Sequence, residues 1–143
     1  MLTELNISQL AAIIFALHVF ADFNLQIGAK LDQFKQERWW KHILHSVKMS
    51  ADKRNKYHRR FLGDYRAGLL VHAGVWAAVT FLPLVLLAES QVAVWMVLVP
   101  NALVHTLVDH LKANKHAINL RTDQFLHLLQ LATTLILWHY FVG

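Results

Sequence analysis

Three pairs of ionisable residues stand four positions apart inside otherwise apolar stretches of this 143-residue chain. A spacing of four places both side chains of a pair on one face of an α-helix, one turn apart. Imidazole and carboxylate are ligands that zinc, iron, manganese and nickel share, so the pairs suggest the chemistry of a bound divalent metal. The pairs are His18 with Asp22, His105 with Asp109, and Asp123 with His127.

The composition around these pairs is that of a membrane protein. Hydrophobic residues make up 56% of the chain and charged residues only 16%, which is unusually apolar for a soluble domain. An ionised group near the centre of a bilayer costs about 2.5–3.5 kcal/mol, so such groups are normally turned inward, paired and functional. Cysteine is absent, which excludes disulfides and thiolate metal sites.

Four apolar segments are long enough to cross a bilayer, so the sequence predicts an all-α, integral-membrane four-helix bundle in one domain. Each segment has about 20 residues, which at about 1.5 Å per residue crosses a hydrocarbon core of about 30 Å. Pro83 and Pro100 fall within two of the segments, where a kink is expected. The predicted spans cover residues 8–27, 67–88, 92–111 and 124–142.

The basic residues predict the orientation of these spans. All 14 Lys and Arg residues lie in residues 28–66 and 112–122, and both stretches are therefore predicted to be cytoplasmic. The N- and C-termini are then outside. Each span brings its His and Asp residues to the cytoplasmic half, where His72 of the second span lies at a similar depth. Membrane topology explains the net charge of +5 better than nucleic acid does, so no nucleic-acid partner is predicted.

One site shared by the helices is therefore predicted, with one or two divalent transition-metal ions and zinc favoured. The candidate metal ligands are His18, Asp22, His72, His105, Asp109, Asp123 and His127. Since no Ser or Cys stands near these motifs, a metal-bound water would have to attack the substrate. The candidate catalytic carboxylates are Asp22, Asp109 and Asp123. The residues predicted to bind an anionic substrate at the border of the site are Gln26, Lys30, Lys112 and Arg121.

The basic stretch at residues 28–66 has a different pattern. Trp39, Trp40 and Ile43 alternate with basic residues, as in an amphipathic helix lying on anionic lipid headgroups. Residues 32–65 could also bind a soluble cytoplasmic partner or a second copy of the chain.

The remaining His residues are weaker candidates. His42 and His45 have a spacing that could bind a metal ion, although the amphipathic reading of this stretch is favoured. His110 and His139 are interpreted as packing residues, because the first is off the Asp109 face and the second lies at the outer end of its span.

Three alternatives to a metal-dependent hydrolase stay open. The His and Asp pairs could join the helices as buried polar contacts without a metal. A non-catalytic adaptor could use the basic stretch to hold a partner or anionic lipid. A proton or metal-ion transporter would need polar residues through the full thickness of the membrane, and the outer half has few of them.

The motifs resemble those of a family of small bacterial and phage membrane proteins, grouped as domain of unknown function 3307. The resemblance covers the four spans but not the basic stretch, which is longer than is usual in the family. Its His and Asp pattern is similar to that of membrane-bound metal-dependent hydrolases, so the resemblance implies a multi-pass protein of the bacterial inner membrane with such an activity. The motifs are His18-Val-Phe-Ala-Asp22-Phe-Asn-Leu-Gln26, Leu69-Leu-Val-His72, His105-Thr-Leu-Val-Asp109-His-Leu-Lys112 and Asp123-Gln124-Phe-Leu-His127.

Overall fold

The computed structural model describes residues 6–24, 31–46, 50–61 and 63–142. All regular structure in these ranges is helical, which confirms the predicted all-α class. A π-helical turn, Phe20–Asn24, follows the first helix. The α-helices are α1 (Ile7–Val19), α2 (Leu31–Phe34), α3 (Glu37–Ser46), α4 (Ala51–Phe61), α5 (Asp64–Thr80), α6 (Leu82–Leu87), α7 (Gln91–Ala113) and α8 (Leu120–Phe141).

Short polar side chains set the starts of three long helices. Asn6 accepts a hydrogen bond from the Gln9 amide, and the Gln9 side chain accepts one from the Asn6 amide, which forms a capping box at α1. Ser90 and Asn119 each accept a hydrogen bond from an amide in the first turn of α7 and α8. These caps fix where each helix begins and therefore the register of its His and Asp residues.

The second predicted span is divided in the structure. α5 ends at Thr80 and α6 begins at Leu82, with Phe81 between them outside helical geometry. Pro83 stands in the first turn of α6, where its missing N–H is tolerated. The kink predicted at this proline is therefore a break two residues earlier, whereas Pro100 lies inside the continuous helix α7.

Four of the helices pack around one interior. α1 contacts α5 and α8, α5 contacts α7, and α7 contacts α8, so each of the four has two neighbours. Much of the buried apolar cluster comes from the helix ends farthest from the basic stretches, whereas the buried His and Asp residues come from the opposite ends together with Tyr65, Leu69 and Val108. The apolar set includes Leu10, Ile14, Phe81, Leu84, Val97 and Trp138.

The outer faces of these helices are apolar. Phe15 of α1, Leu70 of α5, Trp95 and Leu103 of α7, and Phe125 of α8 are all exposed. Soluble monomers seldom expose apolar patches of more than about 300–600 Å². A lipid environment favours this distribution, in which apolar side chains cover the outer surface and ionisable side chains lie in the interior.

Length and composition single out one helix among the described residues, α7, as able to cross a membrane. Ile7–Asp22 is apolar but shorter, and α5 ends at Thr80 after 17 residues. α8 has 22 residues, but His127 and Gln130 on its buried face lower its mean hydropathy. A single such helix is weak support for a membrane protein, so the four predicted spans stay a prediction.

The segment that joins α2 to α3 has contacts within itself and with the bundle. Within the segment, the Trp40 indole N–H donates to the Phe34 carbonyl over 2.8 Å, and the two rings are 5.9 Å apart. Asn114, directly after α7, accepts from the Glu37 amide and donates to the Lys35 carbonyl. We call residues 33–40 the docked segment. The predicted interfacial stretch is therefore attached to the bundle through these residues.

Gly68 of α5 lies where the docked segment meets the helix. A Cβ at this position would stand 2.6 Å from the Phe34 carbonyl oxygen, which is too close for the backbone to remain in place. Gly68→Ala is therefore expected to displace the docked segment, to lower the unfolding temperature in detergent and to expose residues 33–40 to protease.

Gly74→Ala is the matched control in the same helix. A Cβ at Gly74 would meet nothing within 4 Å, so alanine should be neutral or should stabilise the helix by up to about 1 kcal/mol. If the two alanine variants unfolded at the same temperature with the same protease sensitivity, the close approach at Gly68 would have no role in docking.

Candidate metal centre

Three helices bring buried His and Asp residues to one place. His72 comes from α5, His105 and Asp109 come from successive turns of α7, and His127 comes from α8. Each of these four side chains is at most 4% exposed. The spacing of four within α7 places His105 and Asp109 on one face, and the contacts of α7 with α5 and α8 bring the other two residues to that face.

The Nε2 atoms of the three imidazoles converge on the Asp109 carboxylate. His72 Nε2 lies 3.1 Å from Asp109 Oδ2 and 3.2 Å from His105 Nε2. His105 Nε2 lies 3.7 Å from the same oxygen, and His127 Nε2 lies 3.9 Å from Asp109 Oδ1. Two ligands at about 2.1 Å from a tetrahedral ion stand about 3.4 Å apart, so these separations suit a metal ion.

Two overlapping sets of three residues could hold a metal ion, with ligand atoms within 4.8 Å of one another. One set is His105, Asp109 and His127, and the other is Asp22, His72 and His105. Because His105 belongs to both sets, they form one continuous group, which we call the His/Asp centre. These two sets support the predicted class of cofactor, which is a metal ion held by His and Asp side chains.

Two polar atoms beside the centre lack hydrogen-bond partners. His127 Nε2 and Asp123 Oδ1 are both buried and unpaired, although they lie only 3.6 Å apart. An unpaired buried polar atom costs about 1–3 kcal/mol, so nearly all such atoms in proteins have partners. An ordered water molecule bound by both atoms would remove this cost.

His105 and His127 differ in one respect from most metal-bound histidines. A ligand His usually donates its second ring N–H to a carboxylate, a carbonyl or water. The Nδ1 atoms of both rings are buried without a partner among the described residues. Stacking orients the rings instead, because Trp76 packs on His105 with centroids 4.0 Å apart and His105 packs on His127 at 4.4 Å.

His18 and Asp22 from α1 and the π-helical turn lie at the edge of the centre. The Trp76 indole N–H donates to His18 Nδ1 over 3.2 Å, so the proton of a neutral His18 ring is on Nε2. Neither nitrogen of His18 then offers a free lone pair to a metal. Gln124 donates to Asp22 Oδ2 over 3.0 Å. The structure therefore places the predicted ligand Asp22 within the centre and His18 beside it.

Two ammonium groups pair with the carboxylates. Lys112 Nζ lies 2.6 Å from Asp123 Oδ2, so this predicted substrate residue stands at the centre. Lys35 of the docked segment is buried, with its Nζ 2.8 Å from Asp109 Oδ2. The sequence pattern does not single out Lys35 among the basic residues of the stretch at residues 28–66. The contact joins residues 74 positions apart, so no local spacing signals it.

The other predicted substrate residues are not brought to the centre by the described structure. Arg121 is exposed in the first turn of α8. Gln26 and Lys30 lie outside the described residues.

The weaker His candidates are distributed over the surface. His42 and His45 are exposed on α3. His110 stacks on Tyr65 with ring centroids 6.1 Å apart, and His139 is an exposed neighbour of the Tyr140 ring. His110 therefore has an aromatic packing partner, whereas His139 is exposed.

A second polar cluster lies around Asn101, one helical turn N-terminal to His105 on α7. Gln130 Nε2 donates to the backbone carbonyl and to the side-chain oxygen of Asn101, each over 2.8 Å. Thr134 Oγ1 lies 3.0 Å from the same side-chain oxygen. The polar interior therefore extends farther from the basic end than the sequence indicates, and Gln130 is a buried polar residue that the sequence pattern does not single out.

Comparison with known proteins adds no relative from which a function could be transferred. No family model, curated protein or solved structure matches the chain. The resemblance to domain of unknown function 3307 rests on the four motifs and stays a prediction.

Proposed function

We propose that this chain is a membrane-embedded, metal-dependent hydrolase that acts on an anionic substrate at the cytoplasmic leaflet. The observation that carries the proposal is the convergence of His72, His105 and His127 on the buried Asp109 carboxylate. Imidazole and carboxylate donors suit a divalent transition metal, and the predominance of imidazole favours zinc. The donors are numerous enough for one ion or two.

The described ion pairs bear on the sign of a substrate. Asp109 pairs with Lys35 and Asp123 pairs with Lys112, so with neutral imidazoles these two pairs carry no net charge. A divalent ion bound beside them would add positive charge, which attracts an anionic group.

A divalent ion bound here would supply an acidified water and would polarise a phosphoryl or carbonyl oxygen of the substrate. Lys35 and Lys112 stand where they can hold anionic substrate oxygens. Asp123, beside both sets of ligands, is the proposed acceptor of the water proton. The water oxygen forms the new bond to phosphorus or carbon, the ester bond breaks, and the leaving oxygen takes up the proton.

The membrane location is proposed from the surface and the charge distribution. The outer faces of α1, α5, α7 and α8 are apolar, and all 14 Lys and Arg residues lie in two stretches at one end of the predicted spans. The positive-inside rule then places the His/Asp centre in the cytoplasmic half of the bilayer. The resemblance favours the bacterial inner membrane, with both termini outside.

Reporter fusions test this orientation. Alkaline phosphatase depends on disulfides that form outside the cytoplasm, so a fusion after Gly143 is expected to be active and one inserted at Asn55 inactive. A fluorescent protein that folds in the cytoplasm should give the reverse pattern. If the fusion at Asn55 were the active alkaline phosphatase and the fusion after Gly143 the inactive one, the centre would lie in the outer leaflet. The basis for a cytoplasmic substrate would then be removed.

A transporter is less favoured, because the polar interior does not cross the bundle. Beyond Asn101 and Gln130, the described interior is mostly apolar, with residues such as Leu10, Phe81 and Leu84, and Thr80 is a buried polar exception. A path for protons or metal ions needs polar groups or water through the full thickness.

A non-catalytic adaptor is favoured by one observation on α4. This helix exposes Lys53, Lys56 and Arg60, whereas Glu37 and Lys35 of the docked segment are hydrogen-bonded to Asn114 after α7. An exposed basic helix suits anionic lipid headgroups or an acidic soluble partner. Such a contact through residues 32–65 is compatible with a metal in the centre.

Hydrolysis can be tested with protein purified in detergent without chelators and supplied with phosphatidic acid in mixed micelles. We expect release of inorganic phosphate that EDTA abolishes and that Zn²⁺ or Mn²⁺ restores. Asp123→Asn should lower the rate about 100-fold or more while the metal is retained, because Asp123 belongs to neither ligand set.

His139→Ala, an exposed change on the same helix, should leave both the rate and the metal content unchanged. Protein that is fully loaded with metal and releases no phosphate from this lipid would contradict phosphate-monoester hydrolysis.

A further inference from the structure

A deep groove lies between α7 and α8. Its volume of about 620 Å³ is within the range of small-molecule binding sites. The walls are almost entirely apolar and include Met96, Val104, Leu129, Leu137 and Phe141. None of the His/Asp centre residues lines it, so the groove is a separate feature of the same two helices.

The groove is long as well as apolar. Its lining extends along α7 from Ala93 to Val108, which corresponds to about 22 Å at the helical rise of about 1.5 Å per residue. One leaflet of a bilayer core is about 15 Å thick, half of the usual 30 Å. An extended acyl chain of one leaflet therefore fits along the groove.

One end of the groove lies at the level of the His/Asp centre along α7 and α8. Val108 and Leu126 line that end, and they directly precede Asp109 and His127 in the sequence. Lys112 follows Val108 by one helical turn and pairs with a carboxylate beside the centre. A chain lying in the groove would therefore have its head at the depth of the candidate ligands.

Gln130 is a polar residue of the lining, but it is only 8% exposed. Its Oε1 is buried and its Nε2 donates to Asn101. The surface that a bound chain would contact is therefore almost entirely apolar.

We propose that the groove binds one acyl chain of an anionic phospholipid and so presents the lipid phosphate to the His/Asp centre. This proposal rests on the proposed hydrolase function and names its substrate class, a lipid phosphate anchored by an acyl chain. A second copy of the chain could also cover an apolar groove, but it would not account for a groove that ends beside the candidate ligands.

Photocrosslinking tests the proposal with the full chain in detergent. The probe is phosphatidic acid with a diazirine in one acyl chain, and the crosslinked peptides are mapped by mass spectrometry. We expect crosslinks at groove residues such as Val104 and Leu129 in excess over Leu70 and Val71, which are exposed on α5. Crosslinks spread evenly over all exposed apolar faces would overturn the proposal.

A groove-filling variant has a close control on the same helix. Val104→Trp places a large ring in the groove and should lose most of the groove crosslinks. Leu103→Trp, one position away, 57% exposed and not part of the lining, should keep them. Equal crosslinking of the two variants would contradict binding in the groove.

Metal analysis of the same samples distinguishes failure of this proposal from failure of the proposed function. Groove crosslinks in a protein that binds no metal would support the lipid site and remove the hydrolase. Bound metal together with evenly spread crosslinks would leave the hydrolase proposal in place and remove the lipid site. A dimer that Val104→Trp dissociates and Leu103→Trp does not would assign the groove to a second copy and overturn the lipid proposal.

Discussion

Asp109→Asn is expected to remove the metal and to destabilise the protein more than any other single change in the His/Asp centre. The Asp109 carboxylate lies within 4 Å of His72, His105, His127 and Lys35, so its loss affects ligands and counter-charge together. Removal of one partner from a buried ion pair typically costs about 3–5 kcal/mol. Metal analysis and thermal unfolding in detergent measure the two effects.

A second substitution separates the metal ligand from the ion pair. Lys35→Met removes the buried ammonium group that Asp109→Asn deprives of its carboxylate neighbour, so the double variant should regain part of the stability and none of the metal. If the double variant recovered the metal as well, Asp109 would act only through its ion pair. If Asp109→Asn alone kept its metal, the ion would be bound elsewhere.

His105→Ala and His127→Ala are each expected to lower the metal content strongly, and the double variant should lose much less binding free energy than the sum of the two. Their Nε2 atoms approach the same carboxylate, and residues that act on one centre are not additive. Titration of each purified variant with Zn²⁺ gives the three affinities.

His139→Ala is the control for these His variants, because His139 is exposed near the end of α8 and should leave the affinity unchanged. Independent packing pairs would give another pattern. Each alanine would then lower the unfolding temperature by itself, the decreases would add, and the metal content would not change.

The grouping of the His and Asp residues could be predicted in part because it depends on local rules. A spacing of four sets the shared face of His105 and Asp109, and the His and Asp residues stand near the basic stretches in the sequence, which puts them at one end of the bundle. The ends of α7 and α8 follow from caps that the sequence contains, Ser90 and Asn119, and these helices agree with the predicted spans to within about four residues.

Lys35 and Trp76 could not be predicted in this way. Lys35 stands in a stretch rich in charges, and its burial depends on the close approach at Gly68 and on the hydrogen bonds of Asn114. In the sequence, Trp76 is not distinguishable from the other apolar residues of its predicted span. Its hydrogen bond to His18 and its stacking on His105 depend on how α5 packs against α1 and α7, which a single sequence does not specify.

Metal analysis of the full chain, purified without chelators beside Asp109→Asn, tests the His/Asp centre most directly. A metal centre of this kind should contain about one or two divalent transition-metal ions per chain, with zinc favoured, and the variant should contain almost none. A wild-type protein that is purified without metal and takes up neither Zn²⁺ nor Mn²⁺ on titration, or equal metal contents in the two proteins, would contradict the assignment of this site.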